Sequence, residues 1–258
     1  MLNICKVGRP VADIINKDKD IEPIRLYVND KDVKTTNKSQ NKFFNELTLD
    51  KDEYFQPIAN PNADRFTIYI AGPQGSGKSY WIGQFLKYWK NEKGNSKKDI
   101  YLFSLKDTDT SLDVIKPKRI KLDEKLKDLD YKDFKDSTVI FDDVDSISDK
   151  NIKNIVYNLL DNIVNVGRSL KINCIATNHA PTDGRFTRAV VNSCDMVVYF
   201  PMSGSAHGIN YLLNKYVGLD KTDISNIKKL KSRSVCIYKN YPQMVCTERN
   251  FYVLAEKE

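Results

Sequence analysis

Phe66-Thr67-Ile68-Tyr69-Ile70-Ala71-Gly72-Pro73-Gln74-Gly75-Ser76-Gly77-Lys78-Ser79-Tyr80 is the stretch on which the reading of this chain turns. Its first six residues are apolar, aromatic or β-branched and read as a buried strand. The eight from Gly72 to Ser79 fit G-x-x-x-x-G-K-[ST] in full. Glycine lets the backbone fold tightly and turn its N–H groups toward phosphate oxygens, and a following helix adds the positive end of its dipole. Lys78 would reach the β- and γ-phosphates of ATP, and the Ser79 hydroxyl would join a Mg²⁺ shell. The nucleotide-binding set is Gly72, Pro73, Gln74, Gly75, Ser76, Gly77, Lys78, Ser79 and Tyr80. Such a pattern arises by chance roughly once in a hundred chains of this length, and a strand before it with a helix after it makes chance rarer still.

Working outward, Tyr80 to Trp89 reads as a helix with Trp81, Phe85, Leu86 and Trp89 inward. Strands are expected at Ile100–Ser104, Thr138–Phe141, Ile172–Thr177 and Met196–Phe200, and a helix over Asn151–Val166, where apolar residues recur at helical spacing. Strands alternating with helices indicate an α/β fold, a P-loop NTPase (ASCE/RecA-like) three-layer sandwich with a mainly parallel central sheet. Leu122, Leu126 and Leu129 suggest a helix with a solvated face in the Lys/Asp-rich stretch 106–136. The tail from Val235 to Leu254 reads as a β-hairpin turning near Tyr241-Pro242. Residues 1–60 are polar, with short apolar runs such as Ile24 to Val28, and read as a small N-terminal extension with a few strands. The ATPase domain then takes 61–258.

Three further places carry chemistry. Thr138-Val139-Ile140-Phe141 is an apolar strand ending in Asp142-Asp143, which sets a carboxylate at the sheet edge beside the phosphate loop. Asp142 would hold Mg²⁺, and Asp143 would polarise the attacking water, which favours hydrolysis over transfer to a small acceptor. Asn178, at the tip of Ile175-Ala176-Thr177-Asn178-His179, would contact the γ-phosphate or that water, with His179 as the alternative. An arginine from a neighbouring subunit would neutralise charge built up during phosphoryl transfer. Arg168, Arg185 and Arg188 are the candidates, with Arg168 favoured.

The net charge of +7 is compatible with a polyanionic partner without requiring one. Apolar residues at 41% indicate a globular chain. Five scattered cysteines have no metal-ligand spacing, and an odd total argues against a disulfide framework, so reduced thiols in an intracellular compartment are expected. Lys6, Arg9 and Asp13 interrupt Met1 to Ile15, so no signal-peptide run is read there. No stretch is apolar enough for a membrane-spanning helix.

In this order, the phosphate loop, Asp142-Asp143, Gly167-Arg168 and Thr177-Asn178-His179 resemble the poxvirus-type genome-packaging ATPases of large DNA viruses and virophages, of the FtsK/HerA class. Phe200-Pro201, Tyr211 to Leu219, Ser232-Arg233 and Tyr241-Pro242 look like that family's ending. The resemblance spans about 64–254. It implies a homo-oligomeric ring, pentamer or hexamer, that pumps double-stranded DNA into a preformed capsid through a capsid or portal partner, in the host cytoplasm or virion. Lys106, Lys116, Lys118 and Arg119 are possible DNA contacts. One departure is the Asn178-His179 strand tip, where many members carry Gln. Ala176-Thr177-Asn178 followed by Gly184-Arg185-Phe186 also looks like AAA+ proteins, remodellers or helicase loaders, but the helical lid of those proteins is not legible here.

Overall fold

The computed structural model describes residues 1–18, 20–29, 43–179, 184–203 and 205–254. Six strands come first: β1 (Leu2–Asn3), β2 (Arg9–Asn16), β3 (Ile24–Val28), β4 (Phe43–Phe44), β5 (Glu46–Thr48) and β6 (Glu53–Pro57). Five of them form an antiparallel sheet in the order β4-β1-β3-β2-β6, while β5 joins the edge of a second sheet. The second sheet is built from β7 (Thr67–Ala71), β8 (Ile100–Ser104), β9 (Lys118–Ile120), β10 (Thr138–Asp142), β11 (Asn173–Asn178), β12 (Met196–Tyr199), β13 (Val235–Tyr238), β14 (Met244–Cys246) and β15 (Asn250–Val253). Its order is β5-β15-β14-β13-β12-β7-β11-β10-β8-β9, parallel from β12 to β9 and antiparallel from β13 outward.

β7, β10 and β11 are buried along their whole length, as expected of parallel strands covered on both faces. Alternation then sorts their side chains. Ile68, Ile70, Leu102, Ile140 and Ile175 pack with Ile82, Phe85, Leu86 and Trp89 of helix α1 (Lys78–Asn91). Tyr69, Phe103, Val139, Phe141, Cys174 and Ala176 point the other way, against Val156, Leu160 and Ile163. Those three belong to the longer helix α3 (Lys150–Val166), which crosses the opposite face. The result is the three-layer sandwich foreseen from the alternation of elements.

The stretch 106–136 departs from the helix suggested by its leucines. After the short helix α2 (Thr110–Asp113), it forms two 3₁₀ turns, Glu124–Asp128 and Tyr131–Phe134. Asp123 caps the first and Asp130 the second, the latter with Asp133 in a reciprocal capping box. Short polar side chains that bond nearby N–H groups restart the chain every few residues and prevent one continuous helix. The tail extends the expected hairpin by a strand, because β15 follows β13 and β14 and pairs with both β14 and β5.

The N-terminal sheet is held firmly to the large one. Leu2, Val11, Leu26, Val28 and Phe55 share a core with α1, and Phe55 meets Phe251 edge-on at 5.6 Å. Asp13, only 2% exposed, accepts two bonds from Arg25 at 2.8 and 2.9 Å and one from Tyr88 of α1. Arg25 also pairs with Glu92 just past α1. A buried carboxylate satisfied by a bidentate arginine fixes the angle between sheet and helix, because removing the cation strands the charge.

Candidate nucleotide site

The loop after β7 has the backbone a phosphate cradle requires. Gly75 and Gly77 sit at φ +76° and +108°, a left-handed region that side chains rarely adopt. A Cβ on Gly72 would lie 2.6 Å from Ser76 Oγ and 2.9 Å from Phe200 Cδ2, so glycine is needed there for space as well. Gly72 N–H donates to Asn178 O at 3.1 Å, tying the loop to the tip of β11. Gly77 caps α1 without a side-chain bond, leaving the first-turn N–H groups to face the loop. Ser76 Oγ is buried and has no hydrogen-bond partner within the chain.

Lys78 is 5% exposed. Its ammonium donates to Gly72 O at 2.8 Å and Pro73 O at 3.4 Å, and lies 3.3 Å from Asp143 Oδ1. The cation and the second acid of the strand end are therefore direct neighbours across the mouth of the loop.

β10 and β11 run side by side, which brings the acids to Thr177. Asp142 is 1% exposed and accepts from Thr177 Oγ1 at 3.2 Å and Ser104 Oγ at 3.4 Å. Burial, followed by the charge of Asp143, pushes the Asp142 carboxyl above its ordinary range. Asp143 holds a left-handed backbone at φ 51°, secured by its N–H donating to Thr177 Oγ1 at 2.8 Å. The same hydroxyl is 3.0 Å from Asp143 Oδ1. With one proton it serves one carboxylate at a time, so Thr177 couples the two acids. His179 Nδ1 approaches Asp143 Oδ1 to 2.9 Å without being aligned as a hydrogen bond. Asp143, Asp145 and His179 bring possible ligand atoms within 4.8 Å of one another.

Asn178 is fully buried, and its Nδ2 reaches Thr187 Oγ1 at 3.4 Å. Thr187 also meets the Tyr69 hydroxyl at 3.2 Å and lies on helix α4 (Gly184–Ser193). Thr177, Ser104 and Thr187 escaped the sequence reading. Thr177 had a signal: a polar residue one before the end of an otherwise buried strand. Ser104 and Thr187 had none, because the pairing of β8 with β10 brings in the first and the packing of helix α4 brings in the second.

The arginines fall elsewhere. β11 lies parallel to β7 with Cys174 opposite Thr67 and Asn178 opposite Ala71, so Arg168, before β11, is at the opposite end of the sheet from the loop. Five residues of strand separate the two, roughly 17 Å. Arg168 is 75% exposed and pairs with Asp64 at 3.1 Å. Arg188 is exposed on α4, and the side chain of Arg185 lies outside the described residues. Of the four basic residues considered as DNA contacts, Lys106 pairs with Asp109 at 3.2 Å, Lys118 with Asp99 at 2.7 Å and Arg119 with Asp113 at 2.6 Å.

Against this geometry, the V3 protein of Sputnik virophage, itself uncharacterized, is 35% identical to this chain over 253 residues, 96% of each protein. The chain belongs to the virophage V3 family. No protein-family model matches it. Among solved structures, the genome-packaging NTPase B204 of Sulfolobus turreted icosahedral virus 2, in complex with AMPPCP, is similar to this V3-family chain. The TM-score is 0.52 at 12% identity, over 72% of this chain and 98% of that one. The cytoplasmic domain of the type VII secretion ATPase EccC of Thermomonospora curvata reaches 0.52 at 14% identity, over 83% of this chain but 29% of its own length. The V3-family fold is thus the P-loop NTPase fold that the motifs led us to expect, shared with a viral packaging NTPase.

Proposed function

We propose that this V3-family protein is an ATP-driven translocase of double-stranded DNA, the motor that pumps a viral genome into a preformed capsid. One observation carries the reading: Lys78, Asp142 and Asp143 meet beside a glycine cradle, in a virophage family with the fold of a genome-packaging NTPase. Gly72 to Tyr80 would hold the triphosphate of ATP, with Lys78 on its β- and γ-phosphates. The glycine dihedrals, the unpartnered Ser76 hydroxyl and the buried acid fit such a ligand. Ser79 and Asp142 would hold Mg²⁺, which supplies charge neutralisation when bound.

Asp143 orients the attacking water and accepts its proton. Its carboxylate is held by Lys78 and Thr177. An anionic phosphate that draws the Lys78 ammonium loosens that hold and leaves the base free for water. The Asn178 amide contacts the γ-phosphate side of the site. Arg168 completes the site of a neighbouring subunit, because one strand length separates it from its own loop. That demands a ring, of five or six subunits, docked on a capsid or portal component in the infected cytoplasm or the virion. Contacts to DNA would be to phosphates, salt-dependent and without a base code.

The test is phosphate release by the purified chain with duplex DNA, single-stranded DNA and neither, over a range of protein concentration. The reading expects slow basal turnover, stimulation by duplex above single strands, and activity that rises as subunits assemble. Turnover indifferent to both DNA and concentration would sink the motor. An AAA+ remodeller finds less support. The helices α5 (Ala206–Tyr211) and α6 (Lys221–Lys229), with a π-helical turn between them, lie between β12 and β13, and strands rather than a helical lid follow among the described residues.

A further inference from the structure

A cleft of about 430 Å³ is lined in part by the phosphate loop. Gly75, Ser76 and Gly77 of the loop form one wall, and Tyr80 and Gln84 of α1 continue it. The N-terminal sheet lines the same cleft through Tyr54 and Gln56 of β6, together with Arg233 and Glu248. Its volume falls in the range of small-ligand clefts, about 300–1,000 Å³. The unpartnered Ser76 hydroxyl, more than nine-tenths buried, lies in the wall of this cleft, where a ligand would supply its missing partner.

The side chains suit a purine nucleoside. Tyr54 and Tyr80 both line the cleft and are 37% and 56% exposed, so a flat ligand has two aromatic faces within reach. Burial in this wall, then the nearby Tyr80, raises the Tyr54 hydroxyl above its ordinary pKa. Gln56 donates through Nε2 to Pro57 O at 3.0 Å, so its amide oxygen remains an acceptor for an exocyclic amine. The wall is anchored on both sides, because Phe55 N–H donates to Glu248 O at 3.0 Å and Arg25 ties β3 to Glu92 just past α1.

We propose that β6 of the N-terminal sheet completes the nucleotide site, with Tyr54 and Gln56, alongside Tyr80 and Gln84, holding the purine nucleoside of a triphosphate seated in the loop. The proposal rests on the ATPase reading and adds a role for the N-terminal sheet. Stacking of one base on an aromatic ring is worth about 10- to 100-fold in affinity.

Calorimetric titration of the full chain with Mg-ATP and, separately, with inorganic tripolyphosphate tests it. Tyr54→Ala is expected to weaken ATP by about 10- to 100-fold and leave tripolyphosphate unchanged. Gln56→Ala is expected to weaken ATP several-fold and likewise spare tripolyphosphate, while Tyr54→Phe, which keeps the ring, binds as the parent does. Unchanged ATP affinity in Tyr54→Ala, or an equal loss for both ligands, overturns the assignment and leaves the ATPase reading standing. A parent chain that binds neither ligand overturns both.

Discussion

The two ends of the parallel strands differ in a way that bears on mechanism. At the C-terminal end, Lys78, Asp142 and Thr177 are buried and Asp143 lies among them, each within hydrogen-bonding or ion-pair distance of another, and the buried Asn178 accepts from Gly72 of the loop. At the N-terminal end, Arg168 stands three-quarters exposed and pairs with the exposed Asp64. A buried polar cluster is organised before its ligand arrives, so its electrostatics act at full strength in a low dielectric. An exposed ion pair contributes little to stability and exchanges partners readily. On the proposed reading, the buried end serves chemistry within a subunit and the exposed end offers its charge to a neighbour.

That contrast can be broken, and the largest effect should come from the buried end. Lys78→Ala is expected to abolish Mg-ATP binding and to lower phosphate release by about 10³-fold or more. Arg168→Ala should cost about 10³-fold in turnover of the assembled protein while leaving ATP affinity of the dilute chain unchanged. Mixing Arg168→Ala subunits with Lys78→Ala subunits should restore part of the activity, since each supplies what the other lacks. If Arg168→Ala hydrolyses ATP like the parent at every concentration, the exposed end is not the finger and Arg188 or Arg185 takes its place. Asp143→Asn should lower turnover by about 10²-fold with nucleotide still bound, as measured by single-turnover kinetics beside calorimetry.

The smallest effect sharpens the comparison through stability. Folding raises the carboxyl pKa of Asp142 above its ordinary 3.8, so the native state favours the protonated form. The associated stability is complete below the ordinary value and lost as pH rises through the raised one. At neutral pH the carboxylate therefore costs stability, and Asp142→Asn should raise Tm. The gain should vanish as pH falls through the raised pKa, because the parent acid is then neutral too. Thermal denaturation between pH 4 and 8 checks both halves, and a variant less stable at pH 7 would contradict them.

Much of the site is legible in the order of residues alone. Phe66 to Tyr80 announces strand, glycine turn and helix, and the cradle has the positive dihedrals that Gly75 and Gly77 permit. Asp142-Asp143 and Asn178 are visible because an apolar strand must end somewhere, and in a parallel sheet all such ends gather on one edge. Thr187 is invisible because it joins the site from the face of a separate helix. The helix suggested by Leu122, Leu126 and Leu129 gives way to aspartate caps, local bonds that hydrophobic spacing does not register.

The sequence by itself determined what depends on neighbours along the chain: the buried strands, the phosphate loop, the amphipathic helix 151–166, and the chemical kinds of residue at the strand tips. Tertiary structure alone decided what depends on pairing across the chain: the order of ten strands, the single hydroxyl of Thr177 between two carboxylates, the remoteness of Arg168 from its own loop, and the N-terminal sheet as a wall beside Ser76. The reason is physical. Backbone dihedrals and apolar periodicity are local properties, whereas which strand lies beside which is settled by burial summed over the whole chain.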